Sequence, residues 1–111
     1  MFLGRVTGNV WSTVKWPAAK GLKLLLVRPY QLQDLRAEAG AALSPQDDLV
    51  VCADLLDAGP GDDVLVAFGH AARVAVAQAL GPGQKADAPI DAAVVAVVDR
   101  VELEGGSGSR R

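Results

Sequence analysis

The sequence predicts a mainly β domain, a small five-stranded barrel with one short helix between its fourth and fifth strands. Three observations predict it. The first ten residues alternate in polarity, four further short apolar segments are bounded by turn residues, and the period lengthens to that of a helix only after Gly69. With 111 residues and 11.5 kDa, the chain fills one ordinary domain and leaves too little for a second buried core. Half the residues are apolar and 22% are charged, a globular balance. The domain is expected over 1–104, with a flexible tail over 105–111, where Gly105-Gly106-Ser107-Gly108-Ser109-Arg110-Arg111 has linker composition and a basic end.

From Phe2 to Trp11 small or apolar residues hold the even positions and mainly polar ones the odd, which is a strand with one buried face. Gly4 and Gly8 weaken it locally but permit the sharp coiling that small barrels need. Trp16-Pro17 breaks the pattern, so a loop is expected around Lys15 to Lys20. Leu22 to Arg28, ended by Pro29, is too short for a helix and reads as a second strand, antiparallel to the first. Asp34 to Leu43 has helical propensity, yet Gly40 and Ser44-Pro45 interrupt it, and 30–48 is expected as a long surface connection. Leu49 to Ala53 reads as the third strand and Asp54 to Gly61 as a turn. Asp63 to Phe68 reads as the fourth strand, with Val64, Val66 and Phe68 on one face. Ala71, Val74, Ala75 and Ala79 then recur at helical spacing, giving an amphipathic helix that Gly81-Pro82-Gly83 stops. A polar loop through Pro89 leads to the last strand, near Asp91 to Leu103. Five strands with a helix in this place make an OB-like barrel.

The last strand is apolar on both faces: Ala92, Val94, Ala96 and Val98 point one way, Ala93, Val95 and Val97 the other. A lone barrel covers only its inner side, and leaving Val95 and Val97 wet would forgo roughly 1.5 to 3 kcal/mol each. Another subunit is the expected cover, with the chain's own helix able to do part of that work. Val95 and Val97 are therefore the candidate subunit interface.

Catalysis needs two or more groups in complementary roles, and no such set stands out, so no catalytic, cofactor-binding or metal residues are assigned. Cys52 is the only cysteine, which excludes an internal disulfide and a multi-thiolate metal site, and its neighbours Val50, Val51 and Ala53 mark it as buried. A hydrolase would require the fold to bring Cys52 and His70 together. The acids Asp47-Asp48, Asp62-Asp63, Asp87 and Asp91 fall at expected turns, where carboxylates cap backbone amides. Gly59-Pro60-Gly61 lacks the context of a phosphate loop, and Asp62-Asp63 would repel phosphate.

A net charge of −2 and a pI near 5.2 give no overall attraction to nucleic acid or anionic lipid. The charge is uneven: residues 1–33 carry five basic side chains and no acid, while 34–104 hold all thirteen acids against four basic groups. This pattern predicts complementary strands or subunit edges. The longest apolar run, Ala92 to Val98, has seven residues, against the roughly 20 that cross a bilayer as a helix. Met1 to Val10 also lacks the continuous core of a signal peptide, so a cytoplasmic address with no membrane partner is expected. The alternative function is an OB-like single-stranded nucleic-acid-binding module. Its support is thin, because Phe2, Phe68, Trp11, Trp16 and Tyr30 form no stacking array in sequence.

Five segments in order resemble the vertex proteins of bacterial microcompartments, the EutN/CcmL family. Leu3-Gly4-Arg5-Val6-Thr7-Gly8-Asn9-Val10 is similar to the family's opening, and Gly21-Leu22-Lys23-Leu24-Leu25-Leu26-Val27-Arg28-Pro29 to its second strand. Val51-Cys52-Ala53-Asp54 and Ala58-Gly59-Pro60-Gly61-Asp62-Asp63-Val64-Leu65-Val66 resemble its middle. Pro89-Ile90-Asp91-Ala92-Ala93 with Val97-Val98-Asp99 resembles its ending. The resemblance implies an OB-like barrel assembling as a ring, a homopentamer that caps the vertices of a protein shell, flanked by hexameric or trimeric shell tiles. It implies a structural role, no cofactor, no nucleic acid and a place in the microcompartment shell. Where the family has Gly-Ser-Ser-Ala-Arg near the five-fold axis, this chain has Gly69-His70-Ala71-Ala72-Arg73. Gly69, His70 and Ala71 are thus the candidate axial pore loop. Five His70 side chains around an axis would disfavour one another's protonation, while a surface or helix-capping His70 is the other reading. A longer connection at 30–48 and an extended loop at 81–88 also depart from the family.

Overall fold

In a computed structural model the residues described are 1–13, 22–36, 48–80, 90–104 and 109–110. The elements are β1 Phe2–Val10, β2 Lys23–Pro29, α1 Leu32–Arg36, β3 Val50–Asp54, β4 Asp63–Phe68, α2 His70–Leu80, β5 Ala92–Val97, β6 Val101–Glu102 and β7 Ser109–Arg110. The first five strands close into a barrel in the order β1-β2-β3-β5-β4, antiparallel throughout except for the β3–β5 seam. The barrel and the antiparallel first pair are as the sequence predicts. The expected loop at Lys15–Lys20, the helix stop at Gly81-Pro82-Gly83 and the extended loop at 81–88 lie outside the described residues.

Alternation decides which side chains fill the barrel. Val6, Leu25, Val27, Cys52, Val64, Val66, Ala92 and Val94 point inward and are buried, with Phe2 and Val50 packed at the margin. Gly4 is required by proximity: a Cβ there would stand 2.6 Å from Val27 Cγ1 and 2.7 Å from the Arg28 carbonyl oxygen. Outside the barrel, α2 lays Ala72 and Val76 on Ala53 of β3 and Ala93 of β5. The chain's own helix therefore covers part of the outer face of the last strand.

Two expectations need correction. The stretch 30–48 is not simply a connection, since α1 makes a second helix, fixed by charge instead of apolar periodicity. Arg28 Nη1 lies 3.2 Å from Asp34 Oδ2, and the same oxygen accepts the Gln31 amide at 2.9 Å, as in a capping box. Residues 37–47 of that stretch lie outside the described residues. The last strand also ends early, at Val97: the Val98 amide donates to the Asp63 carbonyl at 2.8 Å, and the chain then leaves the barrel through exposed Asp99 and Arg100. Beyond the barrel, Ser109–Arg110 pairs antiparallel with Val101–Glu102.

Ion pairs account for part of the uneven charge among the described residues. Arg5 Nε meets Asp63 at 3.2 Å, Lys23 Nζ meets Asp54 and Asp57 at 3.4 Å each, and Arg28 meets Asp34. Three of the early basic residues thus hold acids supplied by later elements, as expected for complementary strands.

Candidate functional site

The turn between β4 and α2 carries the candidate axial residues. Gly69 has φ +68°, a left-handed conformation that favours glycine, and a Cβ there would meet nothing within 4 Å, so the requirement is conformational. Its amide donates to the Asp91 carbonyl at 2.7 Å, and its carbonyl accepts the amides of Ala72 at 3.2 Å and Arg73 at 3.4 Å. The turn is thereby tied to the start of β5 on one side and to α2 on the other. Ala72 is buried while Gly69, His70 and Ala71 are all exposed, so the fold presents these three together to the outside.

On β5 the strict alternation breaks. Val94 pairs with Val66 and Ala96 with Leu65, which leaves Val95 without an opposite residue, a β-bulge. Past the bulge the phase is reversed, and Val97 pairs with Val64, a barrel-interior residue, yet remains 42% exposed at the strand's end. Val95 and Val97 therefore do not project as one outward pair. Val95 is half-buried and lines an open cleft of about 450 Å³ with Leu55, Leu56, Ala75, Gln78 and Val94, between α2 and the turn after β3.

The outer faces of the other strands carry residues that alternation in the sequence does not single out. Because directly paired residues share a face, Gly8, Leu26 and Val51 form one row across β1, β2 and β3, and Leu3, Leu65 and Ala96 form another across β1, β4 and β5. Neither row belongs to the packed cores. Alternation says that such residues point outward, and only the register says which of them lie side by side.

Reactive groups are not gathered. Cys52 points into the barrel with 0% exposure, and burial first, then the nearby Asp91 carboxylate, pushes its thiol up to about 11. His70 stands in solvent, so the fold does not bring the two together in a shared site. The carboxylates serve the backbone and the basic residues. Asp62 accepts the Gly59 amide at 2.9 Å, and Asp54 accepts those of Leu56 at 3.0 Å and Ala58 at 2.8 Å. Asp63 binds Arg5 and the Tyr30 hydroxyl. Asp47 and Asp87 lie outside the described residues. Among the described residues, no group of three or more His, Cys, Asp or Glu could hold a metal ion. Three aromatic rings are engaged locally, with Phe2 stacked on Phe68 at 6.4 Å and the Tyr30 ring under Arg5 at 5.8 Å, while Trp11 is 88% exposed.

The model of the family described as ethanolamine utilisation protein EutN/carboxysome matches residues 1–99. The carboxysome shell vertex protein CcmL of Synechocystis is 39% identical over 107 residues, 96% of this chain and 91% of that protein. The microcompartment shell vertex protein PduN of Salmonella typhimurium is 40% identical over 99 residues, 89% of this chain and 96% of its own. Among solved structures, the pentameric microcompartment shell protein GrpN of Rhodospirillum rubrum is 36% identical, covering 93% of this chain and 99% of that one with a TM-score of 0.67.

Proposed function

Because the chain belongs to the EutN/CcmL family, we propose that its barrel is the repeating unit of a ring in which the turn Gly69-His70-Ala71 lines the five-fold axis and Val95 and Val97 stand at the contact between copies. The protein is a structural component of a bacterial microcompartment shell, a vertex-capping pentamer and not an enzyme. The observation that carries this reading is the extent of the match. The whole barrel, from β1 through β5, corresponds to relatives that are shell vertex proteins and to a solved pentamer. In the shell the pentamer is flanked by hexameric and trimeric tiles, which would meet the outer edge of the ring. The nucleic-acid alternative finds no support among these relatives.

Light scattering on the isolated chain tests the ring directly. A particle of five times 11.5 kDa is expected in the absence of any other shell protein, and a stable species of 11.5 kDa would refute it. Five-fold averaged images of that particle should show the β4–α2 turn at its centre.

A further inference from the structure

We propose that the contact between neighbouring copies joins the outer row Gly8, Leu26 and Val51 of one copy to the outer row Leu3, Leu65 and Ala96 of the next. This inference rests on the pentamer reading above and names the faces that make it.

A cyclic ring is built from a head-to-tail contact, so every copy must offer two unlike surfaces. The barrel's outer side carries such a pair. Beside the first row, Leu24, Ala53 and Ala93 lie under or against α2. On its other side, Arg28 is held by Asp34 of α1 and Arg5 lies over Tyr30. Gly8, Leu26 and Val51 run between these two covered zones, and neither helix packs on them: Val51 is 46% exposed and Leu26 half-buried. The second row, Leu3, Leu65 and Ala96, is likewise half-buried and outside both cores.

Both rows are uncharged and each spans three strands. The first is centred on β2 and the second on β4, which the closed order β1-β2-β3-β5-β4 places on opposite flanks of β1. One row per flank is what a heterologous ring requires, and a second copy of this chain is the occupant that supplies both at once. Gly8 and Ala96 contribute almost no side chain, so the two backbones can approach while Leu26, Val51, Leu3 and Leu65 interdigitate across the seam. Val95 and Val97 flank Ala96 in the chain.

Thiol cross-linking tests the pairing, since the native Cys52 is fully buried and silent toward a maleimide. The double variant Val51→Cys with Ala96→Cys, treated with a short bis-maleimide, should give a denaturing-gel ladder reaching five chains, while each single variant stays at one. Independently, Val51→Glu, at an exposed position, should shift the particle from five times 11.5 kDa to 11.5 kDa with the circular dichroism of the barrel retained. A wild-type pentamer whose double variant gives no ladder, or whose Val51→Glu variant stays pentameric, overturns the faces assigned here and leaves the ring intact. A wild-type monomer overturns the ring itself.

Discussion

Helix α2 rests on the barrel through apolar contact, Ala72 and Val76 against Ala53 and Ala93, whereas α1 is tied to it by charge, Asp34 against Arg28. The two attachments respond differently to damage. An apolar contact degrades by degrees as methyl groups are removed. A buried ion pair fails at once, because removing one partner leaves the other desolvated and uncompensated. The side chains of Arg28 and Asp34 are only 8% and 2% exposed, so this pair lies well inside the second regime.

The largest effect should therefore come from α1, although it is the shorter helix. Asp34→Ala leaves the Arg28 guanidinium buried and removes the acceptor of the Gln31 amide, with an expected loss of about 3 kcal/mol in chemical denaturation. The double replacement Arg28→Met with Asp34→Leu removes both charges and should recover most of that loss. Equal losses in the single and double variants would mean that α1 is held by shape and not by the pair.

A smaller loss is expected from α2. Val76 is 1% exposed, and Val76→Ala deletes part of a buried side chain and leaves a void, costing about 2 kcal/mol. Amide chemical shifts over Leu32–Arg36 should stay in place in this variant, because the contacts of Val76 are with the other cluster. Shifts that move in α1 would show that the two attachments are coupled through the barrel wall.

The same contrast explains what is legible in the sequence. Helix α2 is written as a period, with the spacing of Ala71, Val74, Ala75 and Ala79 marking its presence, but the face that attaches is Ala72 and Val76, while Ala71 and Val74 are exposed. The α1 attachment has no period: Arg28 and Asp34 are six residues apart across Pro29, and nothing local says that they meet. The barrel strands are legible for the same reason as α2, since alternation survives in Phe2–Val10 and Asp63–Phe68. Alternation fails at Val95, where the bulge reverses the phase so that Val97 joins the row of Val64, a consequence of pairing with β4 that β5 alone does not encode. The exposed turn Gly69-His70-Ala71 is located by resemblance to the family. Its support through Asp91 and Ala72 depends on contacts distant in the chain, which only the fold supplies.

Alkaline titration probes the barrel interior, to which neither attachment belongs. Cys52 is the one titratable group within the barrel's apolar core among the described residues, and its thiol is pushed from the ordinary 9.0 up to about 11, by burial first and Asp91 second. Above about 9 the unfolded chain sheds this proton while the folded barrel keeps it, so unfolding gains a driving force as pH rises. The stabilising contribution is full below about 9 and is lost on passing about 11. Cys52→Ala will be less stable at every pH because of the missing sulfur, and the informative quantity is the slope. Stability of the wild type should fall more steeply than that of Cys52→Ala between those pH values, since Lys and Tyr titrations are common to both and cancel. Parallel curves would mean that the barrel interior admits the thiolate as readily as water does, which is incompatible with the full burial of Cys52.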